Sequence, residues 1–148
     1  GDYRIISQDE FLPECTSSKY VAVHFFHNDF ERCKIMEHHL KRIASQHLNC
    51  KFVAVNAEKT PFFVTKLQVK TLPTVIVFKD GKAIDRLTGF EGLADSIDKP
   101  DEFPTSRLGR WMESTGAIEY EGPDSDEEGE RQGQVGRATS SRMYQSRF

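Results

Sequence analysis

Val21-Ala22-Val23-His24-Phe25-Phe26-His27-Asn28-Asp29-Phe30-Glu31-Arg32-Cys33-Lys34 is the stretch whose reading decides the fold. Its first half, from Tyr20 to Phe26, is apolar and rich in β-branched and aromatic side chains, as in a strand covered on both faces. A short polar loop follows, and the apolar period then lengthens to that of a helix. Between Phe30 and His47, the residues Cys33, Met36, Leu40, Ile43, Ala44 and His47 share one stripe, while Lys34, Glu37, His38, Lys41 and Arg42 occupy the others. A strand feeding a helix is a common place for chemistry in α/β proteins, because the helix N-terminus stabilises negative charge, a thiolate included. This turn holds one cysteine, Cys33.

Upstream, Tyr3 to Ile6 reads as a short strand, and Ser7-Gln8-Asp9-Glu10 matches a capping box. A short helix should follow, carrying Phe11 and Leu12 inward, with Pro13 kinking or ending it early. Downstream, Asn49-Cys50 breaks the long helix, and Lys51 to Asn56 forms the next strand, parallel to the first long one if the crossover is right-handed. Pro61 suits the first turn of a short helix through Leu67. Val75 to Phe78 and Ala83 to Thr88 flank Asp80-Gly81, a strong hairpin signal, so these two strands should be antiparallel. Asp95 to Glu102 reads as an acidic surface connection. Thr105 or Ser106 can cap a last helix that turns Leu108, Trp111 and Met112 inward and ends at Gly116.

The totals fit one domain plus an appendage. The chain has 148 residues, 37% hydrophobic, with a net charge of -3 and a mean hydropathy of -0.57. That charge gives no reason to expect nucleic acid or an anionic membrane as partner, and no apolar run reaches the roughly 20 residues of a membrane span. Residues 1–120 are expected to form the domain and residues 121–148 a disordered tail. Beyond Tyr120 come an acidic block, Asp124 to Glu128, and then scattered Arg, Ser, Gln and Gly. So little apolar surface cannot offset an ordering entropy of about 1–2 kcal/mol per backbone residue. Within the block, Ser125-Asp126-Glu127-Glu128 makes Ser125 a candidate phosphoacceptor for an acid-directed kinase; the other reading is plain solvated charge.

Three cysteines, at 15, 33 and 50, are odd in number and none is spaced as a metal pair. Free thiols in a reducing compartment are expected, hence a cytoplasmic location, with no metal and no cofactor. Cys33 has three readings: a buried structural thiol, a redox-sensing thiol tuned by the helix dipole with Arg32 and Lys34, or a catalytic monothiol. His24 is expected in the core with a hydrogen-bonded tautomer.

The element order β-α-β-α-β-α-β-β-α, a cysteine at the strand-to-helix turn, and Thr71-Leu72-Pro73-Thr74 before a hairpin resemble the thioredoxin fold: a central mixed sheet flanked by helices. Thioredoxins carry Cys-x-x-Cys at this turn, and the four residues here are Phe30-Glu31-Arg32-Cys33. Phenylalanine stands where the attacking cysteine would be, Asp29 where a tryptophan is usual, and His24 where a buried acid assists proton transfer. Dithiol exchange needs an attacking thiolate and a second thiol to release the mixed disulfide, so no catalytic residue is expected. The resemblance makes Pro73 a candidate cis-proline, in the loop that receives the substrate backbone in redox relatives.

A narrower resemblance is to the phosducin-like branch of this fold. It is carried by His24-Phe25-Phe26, Phe30 to Met36, His39-Leu40, Lys51-Phe52, Asn56 to Phe62, Pro73-Thr74, Lys79 to Lys82, Gly89-Phe90 and Tyr120. It implies a protein-binding role: association with the cytosolic chaperonin that folds actin and tubulin, and modulation of its cycle. The G-protein βγ binding of phosducin itself depends heavily on an N-terminal region. That region is typical of the family, and with Gly1 in place of an initiator methionine a longer natural chain is expected. The alternative is a single-thiol redox or thiol-sensing protein acting through Cys33.

Overall fold

The computed structural model describes residues 1–122 together with Ser146 and Arg147. Of the tail expected to be disordered, residues 123–145 and Phe148, with the candidate phosphoacceptor Ser125, fall outside the described residues.

Five strands form the central sheet in the order β1-β3-β2-β5-β6. They are β1 (Tyr3–Ile5), β2 (Tyr20–Phe26), β3 (Cys50–Asn56), β5 (Thr74–Lys79) and β6 (Lys82–Thr88), and β4 (Thr71–Leu72) lies just before β5. β3 runs parallel to both β1 and β2, whereas β5 is antiparallel to β2 and to β6, so the sheet is mixed. Four helices, α1 (Gln8–Cys15), α2 (Glu31–Ala44), α3 (Pro61–Lys66) and α4 (Thr105–Thr115), cover it. Alternating strand residues serve two cores. Ala22, Phe52, Val75 and Val77 face Met36, Leu40 and Ile43 of α2 and Leu108 and Met112 of α4. On the other side Val21, Val23, Phe25, Val53 and Ile76 meet Phe11 of α1 and Phe63 of α3, whose rings stack at 4.0 Å.

The local signals operate as their chemistry requires. The Ser7 N–H donates to Glu10 Oε1 at 2.9 Å, closing the capping box. Asp80 and Gly81 both adopt positive φ in the β5–β6 turn, and Gly116 closes α4 in the left-handed region.

Pro13 lies near the end of α1, which stops at Cys15 as a short helix with Phe11 and Cys15 buried. Two local expectations are corrected. Leu12 is 59% exposed rather than inward, since α1 turns only its Phe11–Cys15 stripe to the sheet. Thr105 and Ser106 are not caps: Pro104 is the N-cap of α4, and the Thr105 hydroxyl is engaged by His39 Nδ1 at 2.6 Å.

A second, two-stranded sheet pairs β4 with β7 (Ser146–Arg147) in antiparallel register, Thr71 opposite Arg147 and Leu72 opposite Ser146.

Candidate functional site

Three segments meet at one end of the sheet: the turn from β2 into α2, the loop before β5, and the corner after β6. Thr74, next to Pro73, pairs with Phe25 of β2. The Gly89 N–H donates to the Pro73 carbonyl at 2.7 Å. Phe90 then lies under the Arg32 guanidinium, 4.8 Å from its carbon. The cross-strand register and these two contacts put the start of α2 at the same end of the sheet as Pro73, with Arg32 linked to the Pro73 loop through Phe90.

Phe30 is the N-cap of α2, and its carbonyl accepts from the Cys33 N–H at 3.1 Å. A phenyl ring supplies no oxygen to the free amides of the first turn. It packs instead, half-buried, on the core that holds Phe11 and Phe63, with its ring 5.3 Å from that of His27. His27 Nδ1 accepts the Asp29 N–H at 3.1 Å, which places any single imidazole proton on Nε2, facing Glu58 Oε1 at 3.6 Å. Glu31 stays near the surface, 3.8 Å from Lys34 Nζ.

Cys33 points inward and is 2% exposed. Burial pushes its thiol up to about 11, with an interaction at the His27 backbone pulling the other way. Near neutral pH only on the order of one molecule in ten thousand carries the thiolate that exchange chemistry needs. Cys15 and Cys50 are free and buried too, and burial pushes both up to about 12. Neither basic neighbour activates Cys33. Arg32 is committed elsewhere: its Nε and terminal nitrogen lie 2.7 Å and 2.6 Å from Asp101 Oδ1.

His24 is 1% exposed, and its Nδ1 lies 2.7 Å from the Tyr3 hydroxyl. Burial pushes the imidazole down to about 3, so it is neutral, and Nε2 has no hydrogen-bond partner. Burial, then Glu37 and Cys33, hold the Tyr3 phenol above its ordinary range. An imidazole whose basicity burial has lowered this far is a poor proton acceptor near neutral pH, so His24 is a weak stand-in for a buried carboxylate. The Leu72–Pro73 bond is cis, and the Thr74 hydroxyl donates to the Thr71 carbonyl at 2.6 Å.

Asp101 corrects the acidic-loop expectation. It is 4% exposed and buried against Arg32. Asp95 pairs with Arg107, so the connection between β6 and α4 is tied down at both ends. Sequence reasoning took the run as an acidic connection at the surface, a candidate for contact with a partner, and missed Asp101, Phe90 and Tyr3 as neighbours of the motif remnant. A buried arginine calls for a carboxylate partner, but no local signal in the sequence marks Arg32 as shielded from solvent. Among the described residues no three His, Cys, Asp or Glu side chains converge as a metal would require.

Comparison with known proteins agrees with this geometry. The thioredoxin family description matches residues 3–99. The chain is similar to the thioredoxin of Plasmodium falciparum at TM-score 0.62 and 22% identity, over 75% of this chain and 97% of that one. Spinach chloroplast thioredoxin f superposes at TM-score 0.63 and 16% identity, over 78% and 87%; both likenesses concern the fold. Among curated sequences, thioredoxin domain-containing protein PLP3B of Arabidopsis thaliana is 45% identical over 86% of this chain and 54% of its own length. Phosducin-like protein 3 of Dictyostelium discoideum is 39% identical over 81% and 63%. Human thioredoxin domain-containing protein 9 is 37% identical over 82% and 53%. The chain thus spans about half the length of the curated relatives it matches. With a thioredoxin family match over residues 3–99, and relatives that carry the phosducin-like name, the chain belongs to the thioredoxin family and to its phosducin-like members.

Proposed function

We propose that this chain is a non-catalytic protein-binding module that works in the cytoplasm with the cytosolic chaperonin, modulating its folding of actin and tubulin. One observation carries the non-catalytic part. Phe30 occupies the attacking position while Cys33, the one sulfur of the motif, is buried with its thiol pushed up to about 11. The scaffold keeps its two packed cores without the reaction that the motif would serve. The choice of chaperonin, and of actin and tubulin as its clients, rests on the resemblance to phosducin-like proteins. G-protein βγ binding is the lesser partner reading, because so much of it resides in a preceding N-terminal region.

The test is affinity capture from cytosol at near-physiological salt, using the natural full-length protein and the present chain in parallel. Chaperonin subunits should be recovered with the full-length protein, and addition of that protein should change the chaperonin ATPase rate. Recovery of no chaperonin subunit by the full-length protein overturns the reading. The single-thiol alternative through Cys33 predicts fast alkylation of that residue in the native state, which its burial opposes.

A further inference from the structure

The sequence beyond Tyr120 is polarised. Residues 124–130 include Asp124, Asp126, Glu127, Glu128 and Glu130, whereas residues 131–148 carry Arg131, Arg137, Arg142 and Arg147 and no acid at all. The basic end is the part that returns to the domain: Ser146–Arg147 lies antiparallel on Thr71–Leu72. Among the described residues, β4 belongs to no other sheet, so its outer main-chain edge has β7 as its strand partner.

That edge has the properties of a strip for an extended chain. Leu72 is fully buried, which fixes the strand from beneath. The Thr71 carbonyl is held by the Thr74 hydroxyl, and the Pro73 carbonyl by Gly89. A hollow of about 320 Å3, lined by Val64, Thr65, Gln68, Val69 and Lys70, leads up to the first residue of β4. It offers an apolar floor with a polar rim to a side chain of whatever pairs there. Main-chain pairing for affinity beside a pocket for selectivity is how a sheet edge recognises an extended peptide.

We propose that Ser146–Arg147 is a built-in occupant of this edge, an intramolecular plug that shuts it against other extended polypeptide segments. A strand two residues long pairs weakly, but its tether makes the contact intramolecular. An incoming segment must therefore pair more of its backbone, or fill the adjoining hollow, to displace it. The plug covers an unpaired strand edge that would otherwise invite indiscriminate pairing.

The experiment compares the full chain with the S146P/R147P variant, whose two prolines remove the main-chain donors of the tail strand. Amide hydrogen exchange is read residue by residue. In an antiparallel pair one of two consecutive amides faces the partner strand, so one of Thr71 and Leu72 should exchange at least about tenfold faster in the variant, with β2 and β3 unchanged. A labelled synthetic peptide of residues 141–148 should bind the variant at least about tenfold more tightly than the parent chain. Equal exchange at Thr71 and Leu72, or equal peptide affinity, overturns the proposal. No chaperonin enters either measurement, so this inference and the proposed function fail separately.

Discussion

Arg32, in the first turn of α2, and Asp101, 69 residues later in the connection to α4, form a buried ion pair with the guanidinium lying over the Phe90 ring. The pair joins the third position of the motif remnant to the segment that closes the domain. Phe90 stacks edge-on against Phe103 at 4.9 Å, and Phe103 in turn lies 4.3 Å from His39 of α2. Removing one charge of such a pair strands the other in a low-dielectric site. Asp101→Ala should therefore destabilise the chain by about 3–5 kcal/mol. The double variant R32M/D101A should lose clearly less than the sum of the two single changes. Urea unfolding of the four chains measures both; additive losses would mean that the two side chains do not act as a pair.

The same pair shows where the sequence stopped being legible. Signals carried within a few residues were readable: the Ser7–Glu10 capping box, the Asp80-Gly81 hairpin, the continuous apolar run of β2, the stop at Gly116. The motif remnant was readable too, because Cys-x-x-Cys is a local spacing. Asp101 sits in an acidic run, and its burial is decided by an arginine from a distant element that periodicity cannot locate. Leu12 shows the converse, an apolar residue on the side of a short helix that the sheet does not need. Thr105 had the right chemistry for a cap, but His39, brought in by tertiary packing, engaged its hydroxyl first.

Gly109 gives a second test, because propensity and packing disagree there. In a helix interior alanine is favoured over glycine by about 1 kcal/mol. Here a Cβ on Gly109 would overlap the Tyr120 ring, which packs flat on this part of α4. Tyr120 is itself held by the Arg110 guanidinium at 5.1 Å and by its N–H to Glu113. Gly109→Ala should thus destabilise by about 1–3 kcal/mol rather than stabilise. In a Tyr120→Ala background the same change should become neutral or favourable. Thermal unfolding of the single and double variants reads the sign directly.

The buried imidazole of His24 sets a pH dependence whose direction is fixed. Its folded-state value is pushed down to about 3, below the ordinary histidine range. Between those limits the unfolded chain binds a proton that the folded chain refuses, so stability falls as pH falls from about 6.5 towards 3. This one group should remove about 2 kcal/mol by pH 5 relative to pH 7.5. A His24→Gln variant, neutral throughout and still able to meet the Tyr3 hydroxyl, should show a flatter stability–pH curve over that window. Parallel curves for the two chains would assign the acid sensitivity to other groups.

Cys33 is predicted to be chemically silent for a reason that acts before sterics, since a thiol pushed up to about 11 leaves almost no thiolate at pH 8. Iodoacetamide should label it at least about a hundredfold more slowly in the native chain than in the unfolded chain. Restoring a partner should return chemistry to the scaffold. The N-cap and the third helical residue span one turn, already closed by the Cys33 N–H to Phe30 carbonyl bond, and that spacing lies within disulfide reach. F30C should form a disulfide with Cys33 under mild oxidation and gain weak insulin-reducing turnover, weak because burial leaves the His24 imidazole too poor a base to take up the thiol proton. The parent chain should give no turnover above buffer. Turnover by the parent chain that disappears on Cys33→Ser would require the buried thiol to open and react, and the binding-only reading would then give way to the single-thiol one.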